Sequence, residues 1–229
     1  TPNHPYELAD VPFEKHQALV LDASFTFQPG QQFVELPNRK IPFGSKYPTF
    51  SIAYSKRIPG VASSIVDVDK WSVGVQDNMN FKLLGEFRYH VSVGGFLNDR
   101  NVQIPDYQHF NGNQTFYNTK YLNSFQLAPY YQYSTTAAFY ATANVEHHFN
   151  GLLTNKIPLF NKLKWNLVAG ANAFYVNSDN NYMEVFGGIE NILKVIRIDV
   201  VAGYQSKQDT RIGVRIGFGG ILGNMVRLK

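Results

Sequence analysis

Histidines, carboxylates and a run of glycines are the groups in this 229-residue sequence that could do chemistry. Glu146-His147-His148 sets three metal-ligating side chains in a row. On a strand, adjacent residues point to opposite faces, so the two imidazoles cannot close on one ion. The triplet reads instead as polar positions at a membrane rim. His90 and His109 are single, with no third ligand at a recognisable spacing. With no cysteine there is no thiolate site, no disulfide and no Cys nucleophile. Gly213, Gly217, Gly219, Gly220 and Gly223 suggest a phosphate loop, but no dinucleotide or Walker spacing fits and no helix follows. Glycines on an inward strand face relieve crowding or permit curvature. Asp22, Glu86 and Asp199 fall on alternating strand positions, where paired carboxylates could serve as general acid and base. No nucleophile elbow accompanies them, and Arg88, Arg197, Arg211 and Arg215 are placed to neutralise carboxylates. The expectation is a protein that is not an enzyme and uses no metal or other cofactor.

The elements that position these groups repeat with a period of two. Leu19, Leu21, Ala23, Phe25 and Phe27 alternate with Val20, Asp22, Ser24 and Thr26. The same holds around Phe50–Tyr54, Trp71–Val75, Phe87–Val93, Phe139–Val145, Trp165–Ala173, Met183–Ile189, Ile196–Ala202 and Ile212–Phe218. This is strand patterning with one apolar and one polar face. It predicts about nine strands of roughly 9 to 13 residues, as long as a tilted membrane-crossing strand and longer than most soluble ones. No segment carries a helical stripe beyond about two turns. Short turns such as Asn177-Ser178-Asp179-Asn180 separate some strands, and longer connections cover about 29–46, about 98–130 and about 150–162.

Composition narrows the class. The chain is 44% hydrophobic, 15% aromatic and only 17% charged, with a mean hydropathy of -0.24. Its longest apolar runs of about five residues exclude a membrane-spanning helix, which needs about 20. They do not exclude a membrane barrel, whose alternating strands average near neutral. The aromatic content excludes disorder. A net charge of +4 spread along the chain gives no nucleic-acid-binding block. Thr1-Pro2-Asn3-His4-Pro5 is not a signal peptide, so processing has removed one or the chain is cut from something longer. A soluble barrel turns its apolar face inward; a membrane barrel turns it to lipid and keeps charge inside. Strand length and the aromatics near strand ends (Phe27, Tyr47, Trp71, Phe149, Trp165, Tyr175, Tyr182, Tyr204) favour the membrane barrel. On that reading Glu86, Arg88, Glu146, Glu184, Glu190, Arg197, Asp199, Arg211 and Arg215 form a charged lumenal network. Within it Glu86 is matched with Arg88, and Arg197 with Asp199.

The order of segments carries a resemblance. Asn38–Pro48, the strand Thr49–Ile58 and Pro59-Gly60 are similar to the periplasmic turn and ninth strand of the outer-membrane assembly-factor and two-partner-secretion barrels. Leu84–Leu97 then leads into Ile104–Gln114, which resembles the long sixth extracellular loop that folds back into the lumen of those barrels. Ala141–Phe149 resembles strand twelve, and Leu167–Ala173 strand thirteen. Tyr182–Ile192, Ile196–Val200 and Arg211–Gly219 resemble strands fourteen to sixteen. More narrowly, the wording of these segments is similar to a bacterial outer-membrane family that carries an N-terminal carboxypeptidase-regulatory-like domain and has no established activity. The resemblance covers about residues 15–220.

It implies that residues 1–229 are the C-terminal portion of an outer-membrane β-barrel domain, about nine strands of sixteen. The loop at about 98–130 then folds inward, with His109, Phe110, Asn111, Gly112, Asn113 and Gln114 in the lumen. An odd count agrees with a fragment, since single-chain bacterial barrels have even numbers of strands. One departure stands out. The assembly factors use a loop Arg that reaches an Asp on strand thirteen; here the loop reads Asn111-Gly112-Asn113-Gln114 and strand thirteen has Asn172. The charged anchor is absent at those positions. The expected fold class is all-β, an antiparallel transmembrane barrel in the bacterial outer membrane, related to protein assembly and translocation. Its expected partners are outer-membrane lipid, the missing strands of the same barrel and other outer-membrane or periplasmic assembly proteins. The alternatives are a passive channel or structural surface barrel, and a soluble ligand-binding β-barrel.

Overall fold

The computed structural model describes residues 16–113, 115–118, 121–149, 151, 154–205 and 209–218. The strands, in chain order, are β1 (Leu19–Phe27), β2 (Gln32–Leu36), β3 (Arg39–Gly44), β4 (Thr49–Ile58), β5 (Asp67–Asn80) and β6 (Glu86–Arg100). They continue with β7 (Tyr117–Asn118), β8 (Tyr140–Phe149), β9 (Asn166–Tyr175), β10 (Asn181–Ile192), β11 (Ile196–Gln205) and β12 (Arg211–Phe218). A six-residue helix, α1 (Pro158–Leu163), lies between β8 and β9. The architecture is all-β. One sheet runs β1-β4-β5-β6-β8-β9-β10-β11-β12-β7. Its nine long strands are antiparallel to their neighbours, and each falls on a segment marked by alternation. Only β7, two residues long, pairs in parallel, against Ile216 and Gly217 of β12. Among the described residues the sheet does not close on itself.

Two boundaries differ from expectation. The stretch 29–46, expected as a plain connection, contains the separate hairpin β2–β3, with Val34 opposite Ile41 and Glu35 opposite Lys40. Pro42 interrupts its donor pattern, and a strand so short and exposed leaves little periodic signal. The long connection runs 101–139 rather than 98–130. β6 extends to Arg100 because Asp67 and Val68 pair with Arg100 and Asp99. The chain from 130 to 139 is held by the loop itself, where Gln108 and Thr135 exchange backbone hydrogen bonds of 2.9 and 3.0 Å.

The two faces of the sheet differ in a way opposite to an ordinary soluble core. Phe25, Ile52, Val73, Val91, Val185, Ile198, Val200 and Val214 are exposed. Asn144, Glu146, His148, Asn172, Glu184, Glu190, Arg197, Asp199 and Arg215 are buried. The 101–139 loop lies across this polar face. The largest apolar cluster therefore forms between loop and sheet, where loop Phe110, Phe125 and Tyr133 pack on Tyr140, Phe174 and Tyr182. Phe110 stacks on Phe174 at 4.2 Å with planes 6° apart, and Phe125 meets Phe174 edge-on at 5.3 Å. Tyr182, expected among the aromatics at the strand ends, belongs to this cluster instead, because its position in the alternation is that of Glu184 and not of Met183.

Candidate functional site

The polar face is built by registry. Because β-pairing sets partners side by side, one lateral row reads Gln76, His90, Asn144, Asn172 and Glu184 across β5, β6, β8, β9 and β10. A second reads Glu86, His148, Val168, Gly188, Asp199 and Arg215 across β6 and β8–β12. These rows gather residues that are far apart in sequence.

Arg197 is the centre of the charged cluster. Its Nη1 donates to Glu146, and its Nε donates to both Asp199 oxygens at 3.0 and 2.9 Å. The loop's Tyr121 ring covers the guanidinium at 3.7 Å and Phe186 approaches at 5.6 Å. His148 Nδ1 lies 3.0 Å from both Glu190 oxygens, and its Nε2 is 3.4 Å from Glu146. His147 points to the other face, its Nε2 2.9 Å from the Leu84 carbonyl. Six of the nine residues expected as a network (Glu146, Glu184, Glu190, Arg197, Asp199 and Arg215) lie buried on one face; of these, Glu146, Glu190, Arg197 and Asp199 are linked to one another, with His148 between Glu146 and Glu190. Buried charges persist only when paired and hydrogen-bonded; Glu146, Asp199 and Glu190 each have a cationic partner, while Arg197 Nη2 is buried without a hydrogen bond among the described residues.

Glu86, Arg88, Arg211 and Arg215 sit outside that linkage. Glu86 and Arg88 form a half-buried pair at 2.6 Å, as the sequence suggests. Arg215 is buried but donates to the carbonyls of Gln126 and Val214, at 2.5 and 3.0 Å, rather than to a carboxylate. Arg211 is exposed at the start of β12. Of the glycine run, Gly213 and Gly217 face the loop; a Cβ at Gly217 would meet the Asn118 carbonyl and the Tyr121 ring. Gly219, Gly220 and Gly223 lie outside the described residues.

The loop is anchored at two places. Near its start, buried Asp106 accepts from Arg57 Nε of β4 at 2.6 Å and lies 2.9 Å from His16 Nε2. Near its middle, Glu184 of β10 accepts the backbone N–H groups of Gln126 at 2.5 Å and Leu127 at 3.0 Å. Asn172 joins this anchor, donating to Glu184 at 2.8 Å and to the Ser124 carbonyl at 3.2 Å. A charged loop-to-wall contact therefore exists, with its polarity reversed and its position moved. The wall holds the arginine (Arg57) and the loop the acid (Asp106), and the second anchor sets a wall carboxylate under loop amides. Composition gave no signal for either. The one available hint was that Glu184, in a strand bounded by aromatics, occupies the buried phase of the alternation.

The expected lumenal residues His109, Phe110, Asn111, Gly112 and Asn113 lie in this loop; Gln114 is outside the described residues. His109 Nδ1 is 2.7 Å from Ser134 Oγ, and its ring meets Tyr131 edge-on at 5.1 Å. Burial holds its pKa below the usual histidine value, and nearby Lys70 acts in the same direction. Burial likewise raises the Tyr121 and Tyr133 hydroxyls. Asn111 and Asn113 knit the loop to itself. The Asn111 carbonyl accepts Phe125 N–H at 2.7 Å, and Asn113 N–H donates to the Ala128 carbonyl at 2.9 Å. The arrangement brings a hydroxyl and an imidazole together at Ser134 and His109. What it does chemically is hold an ordered aromatic loop over a charged, ion-paired wall.

Residues 1–189 match the C-terminal domain of the family of unknown function DUF5686. The chain belongs to this family. Comparison with curated proteins and with solved structures gives no match. Within the matched range fall the first anchor (Arg57, Asp106), the loop and Glu184. Arg197, Asp199 and Arg215 lie beyond it.

Proposed function

We propose that this DUF5686 chain forms part of the wall of an outer-membrane β-barrel whose lumen is occupied by the 101–139 loop, with no catalysis of its own. The observation that carries this reading is the inverted sheet. β11 buries Arg197 and Asp199 beneath the loop while exposing Ile198 and Val200, and that phase runs through β8, β10 and β12. In water an apolar face of this extent would be covered; in a bilayer it is the lipid contact, and the charged face lines the interior. Strands of 8 to 15 residues from β4 to β12, the two-residue β7 aside, have the length to cross.

The partners on this reading are outer-membrane lipid, the remaining strands of the barrel and other envelope assembly proteins. A loop fastened by ion pairs, backbone hydrogen bonds and stacked rings over the polar face favours a role in assembling or moving proteins, or in presenting them at the surface, over a permanently open channel. Fractionation of the full-length protein tests the first half of the reading: it is expected in the outer membrane, with heat-modifiable mobility in detergent. Recovery in the soluble fraction would overturn it. The second half is tested in planar bilayers, where the wild type is expected to show little steady conductance and a loop-deleted variant a large one. A wild type that conducts as freely as the deletion would return the passive channel.

A further inference from the structure

Beside the aromatic cluster, loop and sheet form a half-open cavity of about 370 Å³, at the lower end of the roughly 300–1,000 Å³ typical of ligand pockets. Its floor includes one lateral row of the sheet, Ser51, Gly74, Ser92 and Thr142 on β4, β5, β6 and β8. In the adjacent row His90 and Asn144 complete it, and Asn111, Asn123 and Phe125 of the loop form the roof.

Two features mark it as a built site. First, none of its lining residues carries a carboxylate, ammonium or guanidinium group, although Glu146 and Arg197 stand on the same face. Second, Gly74 lets the polar side chains of Ser51 and His90 close in over the floor. A Cβ there would lie 2.8 Å from Ser51 Oγ and 3.3 Å from His90 Nε2. Glycine within a strand often marks such a close approach.

The chemistry on offer is hydroxyls and amides that both donate and accept; some of them also bond one another, Ser92 Oγ with Thr142 Oγ1 at 2.6 Å and Tyr140 Oη with Gln108 Oε1 at 3.1 Å, and Phe125 and Tyr140 belong to the buried aromatic cluster beside them. An ion entering would lose its hydration and meet no countercharge. A polyhydroxylated neutral molecule would trade its water hydrogen bonds for these. From this we infer that the cavity binds a neutral sugar, free or at the end of a longer glycan. The inference rests on the cavity's own walls and goes beyond the membrane reading.

The test is calorimetric titration of the full-length protein in detergent with glucose, N-acetylglucosamine, maltose and maltoheptaose, against glucose 6-phosphate and glucosamine. Saturable binding of at least one neutral probe, at least tenfold tighter than its charged counterpart, is expected. Stronger binding of maltoheptaose than of glucose would identify a glycan chain as the natural source; equal binding would identify a free sugar. Gly74→Leu, which fills the cavity without touching either loop anchor, should abolish binding while leaving the far-ultraviolet circular dichroism of the β-sheet unchanged. Should that variant misfold, Thr142→Val, which removes one hydroxyl at constant shape, should weaken binding several-fold. No saturable binding by any neutral probe, equal binding of the charged ones, or a folded Gly74→Leu that binds as the wild type does would each overturn the inference. None of these measurements depends on where the protein fractionates, so their failure leaves the membrane reading standing.

Discussion

Glu184 takes two backbone N–H groups from the loop and an amide from Asn172, which makes one carboxylate the main peg between loop and wall. Replacing it with Gln keeps the shape but presents an amide to donors and removes charge-assisted bonds. A loss of about 2 kcal/mol in loop docking is expected, visible as faster limited proteolysis within 101–139. At the other anchor, Arg57→Met leaves Asp106 buried without its cation and should cost about 3 kcal/mol. Adding Asp106→Asn should return part of that, and a double-mutant cycle in denaturant measures the coupling. His109 gives a smaller, signed effect. Its folded pKa lies below the ordinary 6.5, so the unfolded loop binds the proton more readily. Stability should therefore fall as pH drops below about 6.5 and level off once the folded form also protonates. His109→Gln should flatten that slope in the loop's proteolytic susceptibility. At this scale the sequence was half legible. Alternation placed Glu146, Glu184, Arg197 and Asp199 on one face. It could not pair Glu184 with amides 57 and 58 residues away, nor Arg57 with Asp106, because tertiary proximity between a strand and a long loop leaves no local period.

Strands were the most readable elements, since a one-residue error would turn an entire apolar set to the wrong side. The nine long strands fall where the two-residue period puts them. The β2–β3 hairpin was not readable, its five and six residues being interrupted by Pro42. The loop's far end was missed because Tyr130–Phe139 is aromatic and pinned by backbone bonds rather than by pattern. Which face meets what is a property of the element, and β11 offers the sharpest test. Ile198→Arg places a cation on the outward face, at a cost of about 2–4 kcal/mol if that face lies near the middle of a bilayer. The expected outcome is a clear drop in the folded, heat-modifiable fraction. On a water-exposed surface the same change would be nearly neutral.

For the molecule as a whole, a cysteine introduced at Val200 reports its surroundings, since residues 1–229 contain none of their own. In the full-length protein in liposomes, Val200→Cys should react with a membrane-permeant hydrophobic maleimide and resist a charged, impermeant one. An exposed loop position such as Ser178→Cys should react with both. The all-β class was legible in the sequence. Neither the loop anchors nor the cavity was, because each depends on how the loop lies over the wall.

The strand order has a temporal consequence. From β8 onward every long strand pairs with the one next to it in the chain, so those hairpins can close over short separations and grow one upon another. The loop alone must reach back across β4 to β12, and it can do so only after its platform exists. In pulsed hydrogen exchange during refolding, the amides of Gln126 and Leu127 should gain protection after those of β9 and β10. Earlier protection would mean that the loop organises the wall instead of settling upon it.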